Sequence, residues 1–385
     1  MLNFTFQNPT KIVFGKNEIS QLNALIDPKA KVLLTFGGGS IKQNGIYTQV
    51  KKALKNRKTV EFGGIEPNPS YETCIKAIEL GRKEKINFIL AVGGGSVMDG
   101  SKFIAAGIPF KGKNVWQIVT SQGSAVKSAI PLGTVVTLPA TGSEMNIFGV
   151  ISRKSTKEKL AFGNPLCYPQ FSILDPQVTY SLDKKQLRNG IVDTYVHVCE
   201  QYATKNINAF LQDRFAESIY KTLIDVAPAV MNGKKDYTAR ANFMWCATMA
   251  LNGLIGQGVV QDWSTHSIGH EMTAFFGLAH AETLAIVLPA VWKYELNNKA
   301  DKLAMLAENV YGIKKGTKKQ KANAAITKTI EFFNSVGMPT KLSSYKLTPA
   351  DCDVIAERAA KQGWNIGENF DIDPKALRKI FKLAK

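Results

Sequence analysis

The stretch at residues 88–106, FILAVGGGSVMDGSKFIAA, contains the pattern that decides the fold. It begins with a short apolar run, continues through glycines and Ser96, and ends in a run compatible with a helix. An apolar strand that passes through a glycine turn into a helix is typical of the crossover units that build parallel sheets. The stretch therefore predicts an α/β domain in this part of the chain.

The same alternation continues on both sides of this stretch. KVLLTF at residues 31–36 is followed by glycines, and GTVVTLP at residues 133–139 is followed by a turn rich in Thr, Gly and Ser. After about residue 181, apolar residues recur at helical spacing and β-branched runs become scarce. We predict an α/β domain at residues 1–180 and an all-helical domain at residues 181–385, with the boundary near LDPQVTYSLD.

The composition is that of a folded protein with more than one core. The chain has 385 residues, 45% of them hydrophobic and 21% charged, which excludes the composition of a disordered chain. Single cores stop growing at about 250–300 residues. No apolar run reaches membrane-spanning length, and the N-terminal residues lack a basic start followed by an apolar run. We therefore expect a cytoplasmic protein without a membrane segment.

The formal net charge of +18 raises the alternative of a scaffold that binds nucleic acid and uses no cofactor. The lysines are spread over the whole chain, and the densest run, KKGTKKQK at residues 314–321, has no interleaved aromatic residue for base stacking. This distribution favours a solvated lysine-rich surface and no nucleic-acid partner.

The glycine turn at residues 94–96 suits a phosphate group in physical terms. Glycines let backbone N–H groups close around a phosphate, and the helix that follows presents unpaired N–H donors to it. The turn is not a G-x-G-x-x-G motif, because Met98 occupies the last glycine position, and it is not a Walker A loop. A glycine-rich turn that binds nothing stays open as the alternative.

The earlier glycine turn, in LLTFGGGSIKQNG, contains no acidic residue. NAD sites usually place an acid near such a strand end to bind the ribose 2′-hydroxyl, and that acid would repel a 2′-phosphate. Amide, hydroxyl and ammonium donors stand here instead, at Gly37, Gly38, Gly39, Ser40 and Lys42. The pattern favours NADP(H) over NAD(H), with an ordinary loop as the alternative.

The four histidines of the chain fall into two clusters. Asp193 and His197, in NGIVDTYVHVCEQY, are spaced i, i+4, so a helix presents both side chains on one face. The other three are His266, His270 and His280, in STHSIGHEMTAFFGLAHAET. An acid and imidazoles grouped in this way predict a site for one divalent ion, with hydrogen-bonded or surface imidazoles as the alternative.

His266 and His280 cannot share an ion on an unbroken helix, because the residues between them would span about 21 Å. The helix must stop between them, and Gly277 is the position that favours a stop. Two common zinc signatures are absent, since Ala274 stands where H-E-x-x-H needs a histidine and no cysteines are paired. A hydrolase based on a metal hydroxide stays open at this point.

Several long motifs resemble one family. LAVGGGSVMDGSKFIAA, TLPATGSE, NGIVDTYVHVCEQY, ALNGLIGQGVVQDWSTHSIGHE and HAETLAIVLPA are similar to the iron-containing (group III) alcohol dehydrogenases, in their branch of NADPH-dependent aldehyde reductases and butanol dehydrogenases. The resemblance extends over essentially the whole chain. It implies a Rossmann-like dinucleotide-binding domain of α/β class and a C-terminal all-α domain, which together form the dehydroquinate-synthase-like fold.

The resemblance also implies roles for individual residues. One divalent ion, Fe²⁺ or Zn²⁺, would be held by Asp193, His197, His266 and His280. His270 would be the histidine left over, a catalytic proton relay near the substrate. The resemblance and the two glycine turns together give the residues that would bind NADP(H): Gly37, Gly38, Gly39, Ser40, Gly94, Gly95, Ser96, Asp99, Thr137, Thr141 and Lys159.

The expected function is hydride transfer between NADP(H) and short-chain aldehydes or primary alcohols, in the direction of aldehyde reduction. The resemblance further implies a homodimer. The competing hypothesis is a dehydroquinate-synthase-like lyase that depends on NAD and a metal, and the lack of an acid beside the first glycine turn counts against it. The patterns leave open the native metal, the chain length of the substrate and the physiological direction of the reaction.

Overall fold

The computed structural model describes all 385 residues, Met1–Lys385. The chain divides into two compact units. An α/β unit comprises Gln7–Asp183 and Gly233–Asn252, and a helical unit comprises Met1–Phe6, Lys184–Asn232 and Gly253–Lys385. Compact units do not test where an independently folding domain begins and ends, so the boundary after residue 180 stays a prediction.

The secondary structure changes in character along the chain, as the sequence predicts. The strands are β1 Lys11–Phe14, β2 Lys31–Phe36, β3 Lys58–Phe62, β4 Phe88–Gly93, β5 Leu132–Val136, β6 Phe148–Arg153, β7 Glu158–Gly163 and β8 Phe171–Leu174. The helices up to that point are α1 Leu22–Leu25, α2 Ser40–Gln43, α3 Ile46–Ala53, α4 Tyr71–Lys83, α5 Gly95–Gly107 and α6 Gln117–Thr120. The later helices are α7 Lys184–Tyr202, α8 Phe210–Met231, α9 Tyr237–Ala250, α10 Ser264–Phe276, α11 His280–Tyr294, α12 Leu296–Asn309, α13 Lys318–Ser335, α14 Asp353–Gln362 and α15 Pro374–Leu383.

The α/β unit is built on a parallel sheet of six strands in the order β1-β8-β5-β4-β2-β3. Every residue of β4 is buried, because both faces of the sheet are covered. Ile89 and Ala91 belong to the core that includes side chains of α4 and α5. Leu90 and Val92 belong to the opposite core, which includes side chains of α3. The continuous apolar run in the sequence therefore marks a central strand.

The strand order brings the glycine turns together. β2 and β5 are the two neighbours of β4 in the sheet, with Phe36 paired to Val92 and Val136 paired to Gly93. The carboxyl ends of parallel strands meet at one edge of a sheet, where α/β proteins bind ligands. The segments that follow β2, β4 and β5 therefore lie side by side at this edge.

The helical unit has no strand. α10 ends at Phe276, and Gly277 follows with a φ of 68°, in the left-handed region that glycine adopts without strain. α11 then begins at His280 and packs against both α10 and α7. The predicted sequence of helix, glycine turn and returning helix is confirmed, as is the fold class of α/β plus all-α. None of the helices has the length and apolar character needed to cross a membrane.

Candidate functional site

α7 presents an acid and a histidine on one buried face. Asp193 and His197 are both buried, and Oδ1 of Asp193 lies 3.7 Å from Nε2 of His197. The i, i+4 spacing produces this arrangement, because one helical turn separates the two side chains. α7 is apolar or buried over most of its length, so the two polar groups face the interior of the helical unit.

Two further histidines converge on the same carboxylate oxygen from other helices. His266 lies in the first turn of α10, and its Nε2 is 3.9 Å from Oδ1 of Asp193. His280 is the first residue of α11, and its Nε2 is 3.6 Å from the same oxygen. The left-handed turn at Gly277 reverses the chain between them. Residues that are distant in sequence are thus brought to one point.

The residues present fit a divalent ion. The separations of 3.6–3.9 Å are too long for hydrogen bonds, and Oδ1 of Asp193 is buried without a hydrogen-bond partner. Ligand atoms that lie about 2.0–2.2 Å from a tetrahedral ion are about 3.3–3.6 Å from one another. The donor atoms of Asp193, His266 and His280 all lie within 4.8 Å of one another. His197 lies outside this tighter group, but its Nε2 is 3.7 Å from Oδ1 of Asp193 and its ring stacks on that of His266 at a centroid distance of 4.8 Å.

His270 lies beside this cluster. Its ring centroid is 5.2 Å from that of His280 and 6.1 Å from that of His266, and its side chain is half-buried. It is not one of the residues whose donor atoms converge on Asp193. The geometry therefore separates it from the four residues that could hold an ion.

Glu200 is a residue of this site that the sequence analysis did not identify. Its Oε2 contacts Nδ1 of His266, and its Oε1 accepts a hydrogen bond of 3.1 Å from the backbone N–H of the same residue. Glu200 is buried and lies one helical turn beyond His197 on α7. The i, i+4, i+7 spacing of Asp193, His197 and Glu200 was the available signal, since these positions share one helix face.

A buried ion-pair network supports the start of α10. The backbone N–H of Ser264 donates to Oδ1 of Asp262, and Nζ of Lys299 donates to Oδ2 of Asp262 at 2.8 Å. Lys299 also donates to Glu368 at 2.7 Å. Burial alone would lower the pKa of Lys299, but the two carboxylates raise it above its ordinary value. The lysine is therefore a charged partner that fixes Asp262 beside the first turn of α10.

In the α/β unit, the two predicted glycine turns follow β2 and β4 at one edge of the sheet. Gly39 has a φ of 100°, which favours glycine, and Gly38 has no heavy atom within 4 Å of the position that a Cβ would occupy. Open space of this kind leaves room for a ligand beside the backbone of residues 37–40. Ser96 lies at the neighbouring turn and accepts a hydrogen bond of 3.2 Å from the backbone N–H of Asn68.

Gly95 has a structural reason to be glycine. A Cβ at this position would lie 2.4 Å from Cγ2 of Thr141, which is far inside van der Waals contact. The glycine therefore lets the segment after β5, which carries Thr137 and Thr141, close against the turn after β4. The backbone N–H of Thr137 donates to the carbonyl of Gly93 at 2.9 Å and fixes the start of this segment.

Asp99 and Lys102, on α5, bind the segment after Thr141. Ser143 donates to Oδ1 of Asp99 at 2.7 Å, while Nζ of Lys102 donates to Ser143 at 2.8 Å and to Asn146 at 2.9 Å. Burial raises the pKa of Asp99, and burial lowers the pKa of Lys102 to about 8. Lys159, buried in β7, is a further positive charge that acts on Asp99.

Comparison with known proteins gives this arrangement a context. Residues 9–176 match the family description "Iron-containing alcohol dehydrogenase", and residues 189–384 match "Fe-containing alcohol dehydrogenase family, C-terminal". The NADPH-dependent aldehyde reductase YqhD of Escherichia coli is 49% identical over all of both chains. Its crystal structure matches with a TM-score of 0.98 and covers 100% of this chain and 99% of that chain, at 48% identity.

Two further relatives are similar over nearly their whole length. The NADP-dependent alcohol dehydrogenase 3 of Entamoeba histolytica is 42% identical over 99% of this chain and 98% of its own. A probable NADH-dependent butanol dehydrogenase of Bacillus subtilis is 41% identical over 100% of both chains. The relatives therefore differ in the nicotinamide cofactor that their names give.

Proposed function

Because the chain belongs to the iron-containing alcohol dehydrogenase family, we propose that it reduces short-chain aldehydes to primary alcohols with NADPH. Both parts of the chain match the family, which confirms the resemblance found in the motifs. The same matches favour the oxidoreductase hypothesis over the dehydroquinate-synthase-like lyase. The observation that carries the proposal is the convergence of three imidazole nitrogens on Oδ1 of Asp193 in a chain of this family.

The proposed ion ligands are Asp193, His197, His266 and His280. Carboxylate and imidazole donors suit both Fe²⁺ and Zn²⁺. A bound divalent ion would polarise the aldehyde oxygen as a Lewis acid, and bound NADPH would supply the hydride. The ligand residues would hold the ion, and no side chain needs to form a covalent bond with the substrate.

His270 is the proposed proton donor. The balanced reaction converts an aldehyde, NADPH and a proton into a primary alcohol and NADP⁺, so a proton must reach the former carbonyl oxygen. His270 is half-buried, and its ring lies 5.2 Å from the ring of His280. Imidazole is the side chain that exchanges protons near neutral pH. The arrangement supports a relay that delivers the proton through His270.

The preference for NADPH rests on the turn after β2. The acid that would repel a 2′-phosphate is absent from residues 37–40, and Ser40 is exposed at the start of α2. Lys42 contributes less than the sequence suggests, because its Nζ lies 3.8 Å from the carboxylate of Glu61. The donors that favour the phosphate are therefore the backbone amides of the turn and the Ser40 hydroxyl.

The other cofactor contacts are proposed at the neighbouring turns. Gly94, Gly95 and Ser96 would bind the pyrophosphate, with the N-terminus of α5 behind them. Asp99, Thr137, Thr141 and Lys159 would surround the nicotinamide and its ribose. The hydrogen bonds of Asp99 and Lys102 support this proposal, since they fix the segment that carries Thr141.

We also propose that the enzyme is a homodimer. β1 is an edge strand of the sheet, and Phe14 at its end is 39% exposed. Trp245, in α9, is 41% exposed and lies with its ring centroid 6.0 Å from that of Phe14. An exposed edge beside an aromatic pair is a surface that a second copy would cover. Light scattering after gel filtration tests the oligomeric state.

The cytoplasmic location of the protein stays a prediction.

The proposed activity is tested with protein stripped of metal and reloaded with Fe²⁺ or Zn²⁺. NADPH oxidation is followed on a panel of aldehydes of increasing chain length, with NADH measured in parallel. We expect turnover that requires the ion and a higher kcat/KM with NADPH than with NADH. Absence of NADPH oxidation on the whole panel, with either ion, would contradict the proposal.

A further inference from the structure

The Glu200 carboxylate binds both the side chain and the backbone of His266, one of the proposed ion ligands. Its Oε2 contacts Nδ1 of His266, while its Oε1 accepts the backbone N–H of the same residue at 3.1 Å. A carboxylate that binds the ring and the backbone of one histidine restricts the χ angles of that histidine. Glu200 is 3% exposed, so water does not compete for these contacts.

The contact also determines which ring nitrogen carries the proton. An ionised carboxylate has no hydrogen to donate, so an Nδ1 that faces it is the protonated nitrogen of a neutral imidazole. The other nitrogen, Nε2, then has its lone pair free to bind a metal, and it is the atom that faces Asp193 at 3.9 Å. The geometry gives the histidine the tautomer that a metal ligand needs.

We propose that Glu200 is a positioning residue that fixes the tautomer and orientation of His266 for metal binding. The inference rests on the proposed function, since it assumes the ion site at Asp193. α7 supplies the proposed ligands Asp193 and His197, and through Glu200 it also positions His266 of α10. A shift of α10 relative to α7 would therefore break the contact with Glu200 and the ligand geometry together.

Glu200 has a second role that the test must separate. Backbone N–H groups of Thr265 and His266, in the first turn of α10, also bind its carboxylate. A negative charge at this end of a helix is stabilising in any protein. Glu200→Gln separates the two roles, because its carbonyl oxygen can still accept the backbone N–H groups. Its NH₂ group, however, would face Nδ1 as a donor and favour the opposite tautomer.

The experiment measures Zn²⁺ affinity of the full-length protein by competition with a chromophoric chelator. We expect E200Q to bind Zn²⁺ about 10–100-fold more weakly than the wild type, the range found for partners of ligating histidines. The matched control is E217Q, which removes another buried carboxylate that accepts hydrogen bonds from Tyr202 and Asn309. E217Q should keep the wild-type affinity. Equal affinity of E200Q and the wild type would overturn the inference.

A second measurement needs no variant. Nitrogen NMR of ¹⁵N-histidine-labelled, Zn²⁺-loaded protein reports the protonation of each ring nitrogen, and the chain has only four histidines to assign. We expect His266 to carry its proton on Nδ1 and to bind Zn²⁺ through Nε2. Zn²⁺ on Nδ1, or a proton on Nε2, would overturn the inference even if E200Q does not fold.

His266→Ala separates failure of this inference from failure of the proposed ion site. If H266A and E200Q both keep full Zn²⁺ affinity, the assignment of His266 as a ligand is wrong. The other outcome is that H266A loses Zn²⁺ while E200Q keeps the Zn²⁺ affinity and the His266 tautomer of the wild type. In that case the ion site stands and only the role proposed for Glu200 is wrong.

Discussion

Asp193 and His280 face one another across 3.6 Å, from Oδ1 to Nε2, although they lie on different helices. The distance is too long for a hydrogen bond and suits two ligands of one ion. A buried carboxylate oxygen without a hydrogen-bond partner is costly unless a cation compensates it. These observations support the proposed metal site, whose ligands come from α7, α10 and α11.

Replacement of Asp193 by Asn should abolish retention of the ion, because the change removes the negative charge at the point where the imidazoles converge. The metal content of the reloaded variant is measured by elemental analysis after gel filtration. Asp225→Asn is the matched control, since Asp225 is an exposed carboxylate on α8. D225N should retain the ion at the wild-type level, and full retention by D193N would contradict the assignment.

Replacement of His270 by Ala should preserve the ion and lower kcat. Loss of a general acid reduces rates by about 10²–10⁴-fold. The measurements are metal content and steady-state kcat on the same preparation, with His280→Ala as the comparison. H280A should lose both ion and activity. If the two variants lose the ion to the same extent, the division between ligand and proton relay is wrong.

Replacement of Gly277 by Ala should destabilise the protein by about 1 kcal/mol, because an L side chain is strained in the left-handed region. No atom lies within 4 Å of the added Cβ, so backbone strain is the sole expected cost. Gly277→Asn should be less destabilising, since Asn tolerates this region. Urea unfolding of the wild type, G277A and G277N measures their order of stability. Equal stability of G277A and the wild type would show that the turn is not strained.

The stability of the wild type relative to Lys102→Met should increase with pH. Burial lowers the pKa of Lys102 from 10.5 to about 8, so the unfolded chain binds more protons between these two values. The stability contributed by Lys102 therefore rises as the pH passes through this window. From pH 7.5 to 9.5 we expect a gain of about 2 kcal/mol relative to K102M, measured by urea unfolding. If the free energy of unfolding of the wild type, relative to that of K102M, falls with pH, the lowered pKa of Lys102 is contradicted.

Replacement of Ser40 by Asp should reduce kcat/KM for NADPH more than for NADH, because a carboxylate would repel the 2′-phosphate. Ser40→Asn tests the loss of the hydroxyl without the added charge. The ratio of kcat/KM with NADPH to kcat/KM with NADH should fall by about tenfold or more in S40D, equivalent to about 1.4 kcal/mol. An unchanged ratio in S40D would place the 2′-phosphate elsewhere.

Much of the fold and of the proposed ion site follows from local spacing. The i, i+4 pair on α7 and the stop at Gly277 are properties of single helices, and the apolar run of β4 reflects burial on both faces of a sheet. These features depend on residues close in sequence. The return of His280 toward His266 could be predicted from Gly277. The ligand set that includes Asp193 was implied only by the resemblance to the family.

Contacts between distant segments could not be predicted in this way. The need for glycine at residue 95 comes from Thr141, which follows a different strand. Glu200 meets His266 only because α7 packs near the start of α10, and an acid on a helix face is more often solvated than buried. The ion pair of Lys299 with Asp262 likewise joins separate segments.

Anomalous diffraction from crystals of the Zn²⁺-loaded protein, collected on both sides of the zinc edge, tests the proposed ion site. We expect one strong anomalous peak within about 2.0–2.2 Å of a carboxylate oxygen of Asp193 and of Nε2 of His197, His266 and His280. His270 and Glu200 should lie outside this coordination shell. A peak at another place, or one coordinated by His270 in the place of a proposed ligand, would contradict the assignment of the four ligands.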